Sequence, residues 1–142
     1  MYVIQIQSDA ERTLLWRPAP EPVCGAQEVL VDVRAAALNR ADLLQRAGKY
    51  PPPAGSSDIL GLEIAGEIST LGAEVVDHHI GERVCALLPG GGYAERAAVP
   101  VEMLMPVPVG WDFEQAAAVP ECFLTAFVNF YMEAGLQPGE IV

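Results

Sequence analysis

Basic side chains are scarce in this chain: 8 Lys and Arg stand against 19 Asp and Glu, for a formal charge of −11. Such a field repels phosphate backbones and anionic lipid, so nucleic acid and membrane surfaces are not expected partners. Long apolar runs are missing too. None reaches the ~20 residues of a membrane helix, and the opening MYVIQIQSDAER has neither a basic leader nor a small-residue cleavage site. The expectation is a soluble, cytoplasmic protein. Cys24, Cys85 and Cys122 are few, odd in number and far apart, with no C-x-x-C pair, which excludes a disulfide framework or a zinc ribbon. His78 and His79 adjoin in the turn-like stretch Gly72–Gly81, where a solvated loop is expected and a ligand pair is the alternative. A G-x-G-x-x-G turn for a dinucleotide phosphate is absent as well.

What remains is enough for a compact domain: at 142 residues, folding buries roughly two-thirds of the unfolded surface. Short strands separated by Pro and Gly fill the first hundred residues. Tyr2–Ile6, Leu14–Trp16, Glu28–Ala36, Ile64–Leu71, Arg83–Leu88 and Tyr93–Val99 are the expected strands. Glu28–Ala36 is the clearest, with Val29, Val31 and Val33 on one face and Asp32 and Arg34 on the other. Regular short strands with such punctuation point to a small barrel or sandwich. Asn39 is placed to cap a short helix ending near Ala47, with Gly48 as its stop. Asp112 and Gln115 form a capping-box pattern for a second helix, through Ala117. Pro51, Pro52, Pro53 and Gly55 make Tyr50–Ser57 a stiff loop. A third helix, Glu121–Ala134, is apolar nearly all round, and Glu140-Ile141-Val142 reads as the start of a buried strand.

The stretch ALNRADLLQRAGKYPPPAGSSDILGLEIAG, from Ala37 to Gly66, resembles the catalytic-domain signature of the medium-chain dehydrogenase/reductase superfamily, within its zinc-free quinone oxidoreductase branch. The turn Pro89-Gly90-Gly91-Gly92-Tyr93-Ala94-Glu95 and the segment Ala116–Pro120 carry the same resemblance, which is nearest to the tumour-suppressor-inducible type. Arg96, where an aromatic is frequent, and Glu82, where Asp is usual, are modest departures. In zinc-dependent relatives the positions matching Asn39 and Leu62 hold a Cys and a His ligand. An aliphatic group cannot ligate, and a catalytic zinc needs about three protein ligands. No metal site is therefore expected.

The resemblance implies a mainly β fold, a GroES-like partly open β-barrel with short helices. Residues 1–119 would form that catalytic domain, and 120–142 an inter-domain helix followed by the start of a truncated dinucleotide-binding domain. It further implies NADPH as cofactor, a quinone or other small electrophilic acceptor as substrate, and a homo-oligomer at full length. Asn39 and Tyr50 are the expected catalytic groups, donating to the acceptor or presenting a ring to it. Asn39, Asp42 and Thr125 are the expected cofactor contacts. Each has a plainer role beside this one: Asn39 as a helix cap, Tyr50 as surface packing, Asp42 as a favourable acid in a helix's first turn, and Thr125 bonded back to its own helix. Glu63 is expected to hydrogen-bond locally, Gly61 and Gly66 to mark close packing or a bulge, and the triple glycine to be a loop. Glu121 falls near the third zinc-ligand position, where alone it makes no zinc site. Arg40, Arg46 and Lys49 form either a steering cluster for an anion or a solvated helix face.

The function expected is the substrate-side domain of an NADPH-dependent quinone reductase, inactive as this piece alone. The alternatives are an enoyl reductase of the same superfamily and a non-catalytic interaction module using the apolar third helix.

Overall fold

A computed structural model describes all 142 residues. Strands β1 (Tyr2–Ile6) and β2 (Leu14–Pro18) form an antiparallel hairpin. Strands β3 (Glu28–Ala36), β4 (Glu63–Leu71), β5 (Arg83–Leu87), β6 (Arg96–Pro100) and β7 (Leu104–Pro106) make a five-stranded antiparallel sheet in the order β6-β3-β4-β5-β7. The two edge strands do not pair, so the sheet curls without closing. The fold is the mainly β, partly open GroES-like arrangement that the sequence implies.

One side of the sheet buries Val29 and Val31 of β3, Ile64 and Ile68 of β4, Val84 and Ala86 of β5, and Ala97 and Val99 of β6. Each such aliphatic side chain contributes roughly 1.5–3 kcal/mol when fully removed from water. The opposite side of β4 and β5 offers Ala65 and Cys85 to Ala116 and Ala117 of helix α2 (Phe113–Ala117). The first half of β4 is thus covered on both faces, which accounts for the small and apolar run Ile64-Ala65-Gly66. At Gly66 a Cβ would lie 2.2 Å from the Asp32 carbonyl oxygen, and β3 bulges opposite it between Val33 and Ala35. The close-packing role expected of this glycine is what the structure requires.

Two expected strands change. Tyr93–Val99 splits: Tyr93 and Ala94 bond to β1, through Ile4 N–H to the Tyr93 carbonyl at 2.8 Å and a Val3–Ala94 bridge; Glu95 bonds to both β1 and β3, its N–H to the Tyr2 carbonyl and its carbonyl to the Val33 N–H, and from Arg96 the chain runs as a strand along β3. This segment ties the hairpin to the main sheet. Glu140–Val142 forms no strand, because no neighbouring strand offers it a partner, and Ile141 is 98% exposed.

The helices follow the caps. α1 spans Arg40–Arg46 with Asn39 at its N-cap, and Gly48 takes the left-handed φ of +72° that ends it. α2 carries the reciprocal Asp112–Gln115 capping box. α3 (Pro120–Phe127) opens with Pro at its first position, and Val128–Glu133 continues it as a π-helical segment. The expected Glu121–Ala134 helix therefore exists with a widened second half. His78 and His79 both face the Glu82 carboxylate, with Nδ1 to Oε2 distances of 3.1 and 3.3 Å, in the turn before β5.

Candidate functional site

Asn39 ends the loop after β3, and its position is fixed from below. Asp42, one turn into α1, is 2% exposed. Its Oδ2 accepts the Asn39 backbone N–H and the Tyr93 hydroxyl, both at 2.8 Å, and its Oδ1 accepts the Gly61 N–H at 3.2 Å. Three donors from three segments thus hold one buried carboxylate, as burial of a charge requires. Burial, followed by this bond to Asp42, pushes the Tyr93 phenol well above its ordinary pKa. Asp42, expected at the cofactor, lies under the site and does not line it; α1 is bolted to the sheet through it.

Glu63, at the start of β4, is 1% exposed. Its Oε1 accepts from Asn39 Nδ2 at 2.8 Å, and its Oε2 accepts from the Glu121 backbone N–H at 2.8 Å. The hydrogen bonding expected of Glu63 is real but not local: the partners are 24 and 58 residues away. One carboxylate joins the N-terminal ends of α1 and α3, and it fixes the Asn39 amide with nitrogen toward itself. Asn39 is therefore both a helix N-cap residue and a bonded partner of Glu63, with one of its two amide protons committed.

Between these helix ends opens a cavity of about 670 Å³. Asn39, Tyr50, Glu121 and Thr125 supply polar groups to its wall, with Leu44 and Phe130 among the apolar ones. Three of the four expected site residues, Asn39, Tyr50 and Thr125, meet here although they lie on three separate segments. Tyr50 is 45% exposed, set on the turn that follows Gly48. Thr125 accepts Asn129 Nδ2 at its carbonyl (2.7 Å), while its hydroxyl makes no bond back to the helix. The sequence reading missed Asn129 and Phe130; their spacing of four and five residues from Thr125 places them on the same side of α3 and its extension. A second, more polar hollow of about 610 Å³ beside Gln45 gathers none of the expected site residues.

The basic cluster is divided. Arg40 lines the cavity, whereas Arg46 donates to the carbonyls of Arg12 (2.8 Å) and Glu11 (3.3 Å), so it ties α1 to the hairpin turn. Glu121 has its carboxyl pKa raised, first by burial and then by the negative charges of Glu63 and Asp42. No three His, Cys, Asp or Glu side chains converge in a way that could hold a metal ion.

The cavity has the size and mixed polarity of a small-molecule site. The Gly90–Gly92 turn does not suit a diphosphate. The N–H groups of Gly91, Gly92 and Tyr93 already donate to the carbonyls of Ile59, Gly61 and Leu60 at 2.7–3.0 Å. The Gly90 N–H alone is left without an acceptor, and one donor does not make a cradle for an anion.

Comparison with known proteins agrees with this geometry. Residues 25–109 match the alcohol dehydrogenase GroES-like domain. The chain is 37% identical over 127 residues to polyketide synthase GfsB of Streptomyces halstedii, covering 89% of this chain and 2% of that protein. It is 35% identical over 119 residues to the quinone oxidoreductase-like protein 2 homolog of Nematostella vectensis, covering 83% and 33%. Among solved structures, CurK enoyl reductase superposes with a TM-score of 0.87 at 30% identity, covering 98% of this chain and 45% of that one. The quinone oxidoreductase of Thermus thermophilus, solved also in complex with NADPH, superposes with a TM-score of 0.80 at 36% identity, covering 99% and 43%. The chain thus spans less than half the length of each of these four. Matched along most of its sheet, with its polar cavity between α1 and α3, the chain belongs to the alcohol dehydrogenase GroES-like domain family of the medium-chain dehydrogenase/reductase superfamily.

Proposed function

We propose that these residues are the substrate-side domain of a zinc-independent, NADPH-dependent quinone reductase of the tumour-suppressor-inducible type. Residues 1–119 form the catalytic unit and 120–142 lead toward a dinucleotide-binding domain that the chain does not include; the assembly is a cytoplasmic homo-oligomer. The observation that carries this reading is the shared cavity of Asn39, Tyr50 and Thr125. Its supports are the likeness to a quinone oxidoreductase crystallised with NADPH and the donor set: where zinc relatives place ligands, this chain has an amide, Asn39, bonded to Glu63, and an aliphatic Leu62.

When bound, the nicotinamide supplies a hydride, and the acceptor oxygen gains negative charge as it arrives. This chain's part is to position and to neutralise. Asn39, held at one end by Glu63, turns its remaining amide proton and its oxygen toward the cavity. Tyr50 offers a ring face and a phenol to a planar acceptor. Thr125 presents a free hydroxyl to the nicotinamide amide. Quinones are already electrophilic, so neutral donors suffice where an alcohol substrate would need a Lewis acid.

The second reading is an enoyl reductase, favoured by the polyketide synthase relative and by the CurK enoyl reductase superposition. Steady-state assay of the polypeptide that joins these residues to a dinucleotide-binding domain separates the two. Turnover of NADPH with quinone should exceed that with an enoyl thioester and survive a zinc chelator. Asn39→Ala should lower kcat/KM for quinone about 10–100-fold. Preference for the thioester, or loss of activity on chelation, would overturn the quinone reading.

A further inference from the structure

Hydride addition leaves the reduced acceptor one proton short, and the groups assigned so far do not supply it. Amides and the Thr125 hydroxyl do not ionise usefully, and phenols and guanidinium groups as a class hold their protons too tightly to serve near neutral pH. An effective general acid has a pKa near the working pH and lies within hydrogen-bond reach of the reacting oxygen. Two further side chains on the cavity wall carry an acidic proton, Glu121 and Cys122. A thiol is a weak hydrogen-bond donor and a carboxylic acid a strong one.

We propose that Glu121 is the catalytic acid of this site, donating a hydrogen bond to the acceptor carbonyl and then its proton to the oxygen as hydride arrives. The inference rests on the reductase reading above. Its geometry is that of a carboxyl on the first turn of α3, whose own backbone N–H is anchored 2.8 Å from Glu63 Oε2. The anchor holds Glu121 beside Asn39 on one wall, with the Glu121 carboxyl free of any ion pair or hydrogen bond within the protein. The step balances. The carbon–hydrogen bond of a dihydronicotinamide breaks, its hydrogen passes with the electron pair to the quinone's other oxygen, and the first hydroquinone O–H bond forms there as the nicotinamide is oxidised. The Glu121 O–H bond breaks, a hydroquinone O–H bond forms, and Glu121 recovers a proton from water through the open mouth of the cavity.

The surroundings favour retention of that proton. β4 brings Glu63, α1 brings Asp42 and Arg40, the following loop brings Tyr50, and β5 brings the buried Cys85; on its own helix Cys122 is adjacent. Burial acts first, and the charges of Glu63 and Asp42 add to it, so the carboxyl sits above the ordinary glutamate value. In its protonated form this carboxyl is a hydrogen-bond donor where a metal would otherwise polarise the acceptor.

Two measurements test this. In the 142-residue chain, a carboxyl carbon NMR titration should show Glu121 releasing its proton at higher pH than the exposed Glu114, and the shifted resonance should vanish in Glu121→Gln. In the quinone-reducing polypeptide, kcat/KM should fall as pH rises through that ionisation. Glu121→Gln should be slower by about 100-fold or more and lose that pH limb, whereas Cys122→Ser should keep the limb, and Glu114→Gln, outside the cavity, should keep both rate and limb. Glu121 titrating together with Glu114, or an unchanged pH limb in Glu121→Gln, would overturn the proposal while leaving the reductase reading intact. Absence of NADPH–quinone turnover in the unsubstituted protein would instead remove the reading beneath it.

Discussion

Asp42 and Tyr93 illustrate what single residues do below the site. Tyr93→Phe removes one of three donors to a buried carboxylate while keeping the ring, and an under-bonded buried acceptor costs about 1–3 kcal/mol. Chemical denaturation should show that loss, and the cavity residues above should loosen with it, because Asp42 also holds the Asn39 N–H. Glu121 works in the opposite sense. Its folded pKa is raised, so the folded chain holds this proton more tightly than the unfolded chain does. The stability so gained is present below the ordinary glutamate value and is lost as pH rises through the raised one. Glu121→Gln, which cannot ionise, should therefore gain in melting temperature over the unsubstituted chain between acid and neutral pH and show its smallest difference in acid. A constant difference across that window would contradict the assigned burial and charge effects. Asn39, Tyr50 and Thr125 could be singled out in the sequence because the family resemblance marks each one, and the structure brings them to one cavity. The pairing of Glu63 with Asn39 and with the Glu121 N–H was not legible, since it joins residues 24 and 58 positions apart, and nothing in the local pattern encodes a contact across β3, β4 and α3.

Elements were legible where a local rule decides them. Alternation and flanking glycine or proline mark Glu28–Ala36, and cap chemistry marks α1 and α2. Where tertiary partners decide, the pattern failed. Three-residue β7 owes its existence to the exposed edge of β5, and the Tyr93–Glu95 segment leaves β6 because β1 offers it bonds. The third helix shows both cases. Pro120 announces its start, but the helix pattern cannot show that Val128 onward widens to π geometry or which side is covered. The side that lines the cavity carries Cys122, Thr125, Ala126 and Asn129. Phe123, Phe127 and Tyr131 stand at least half exposed, with the last two rings 5.2 Å apart. Replacing all three by Gln should leave the unfolding midpoint of the sheet core nearly unchanged, since little of their surface is buried on folding. It should also reduce association of the chain in sedimentation velocity, as expected when an exposed apolar patch is removed. A large fall in the midpoint would mean that this face is part of the core.

At the scale of the whole molecule, the charge of −11 and the spent glycine turn act together on cofactor binding. A phosphate-binding site tightens as salt is lowered, because basic groups and free N–H donors meet the anion with less screening. Here the N–H groups of Gly91, Gly92 and Tyr93 are committed to carbonyls, and Arg46 is tied to backbone oxygens, which leaves Arg40 at the cavity against a strongly acidic surround. In the proposed reductase the nicotinamide end enters the cavity, but on this chain alone its diphosphate would meet a repulsive field with no cradle. The isolated chain should accordingly bind NADPH no tighter than about 1 mM, or about 4 kcal/mol, and added salt should strengthen that binding by screening the repulsion. Titration of NADPH fluorescence at low and at physiological ionic strength reads both quantities. Micromolar affinity that weakens with salt would mean that these 142 residues contain a phosphate site, and that the division of labour between a substrate-side domain and a separate nucleotide grip is wrong.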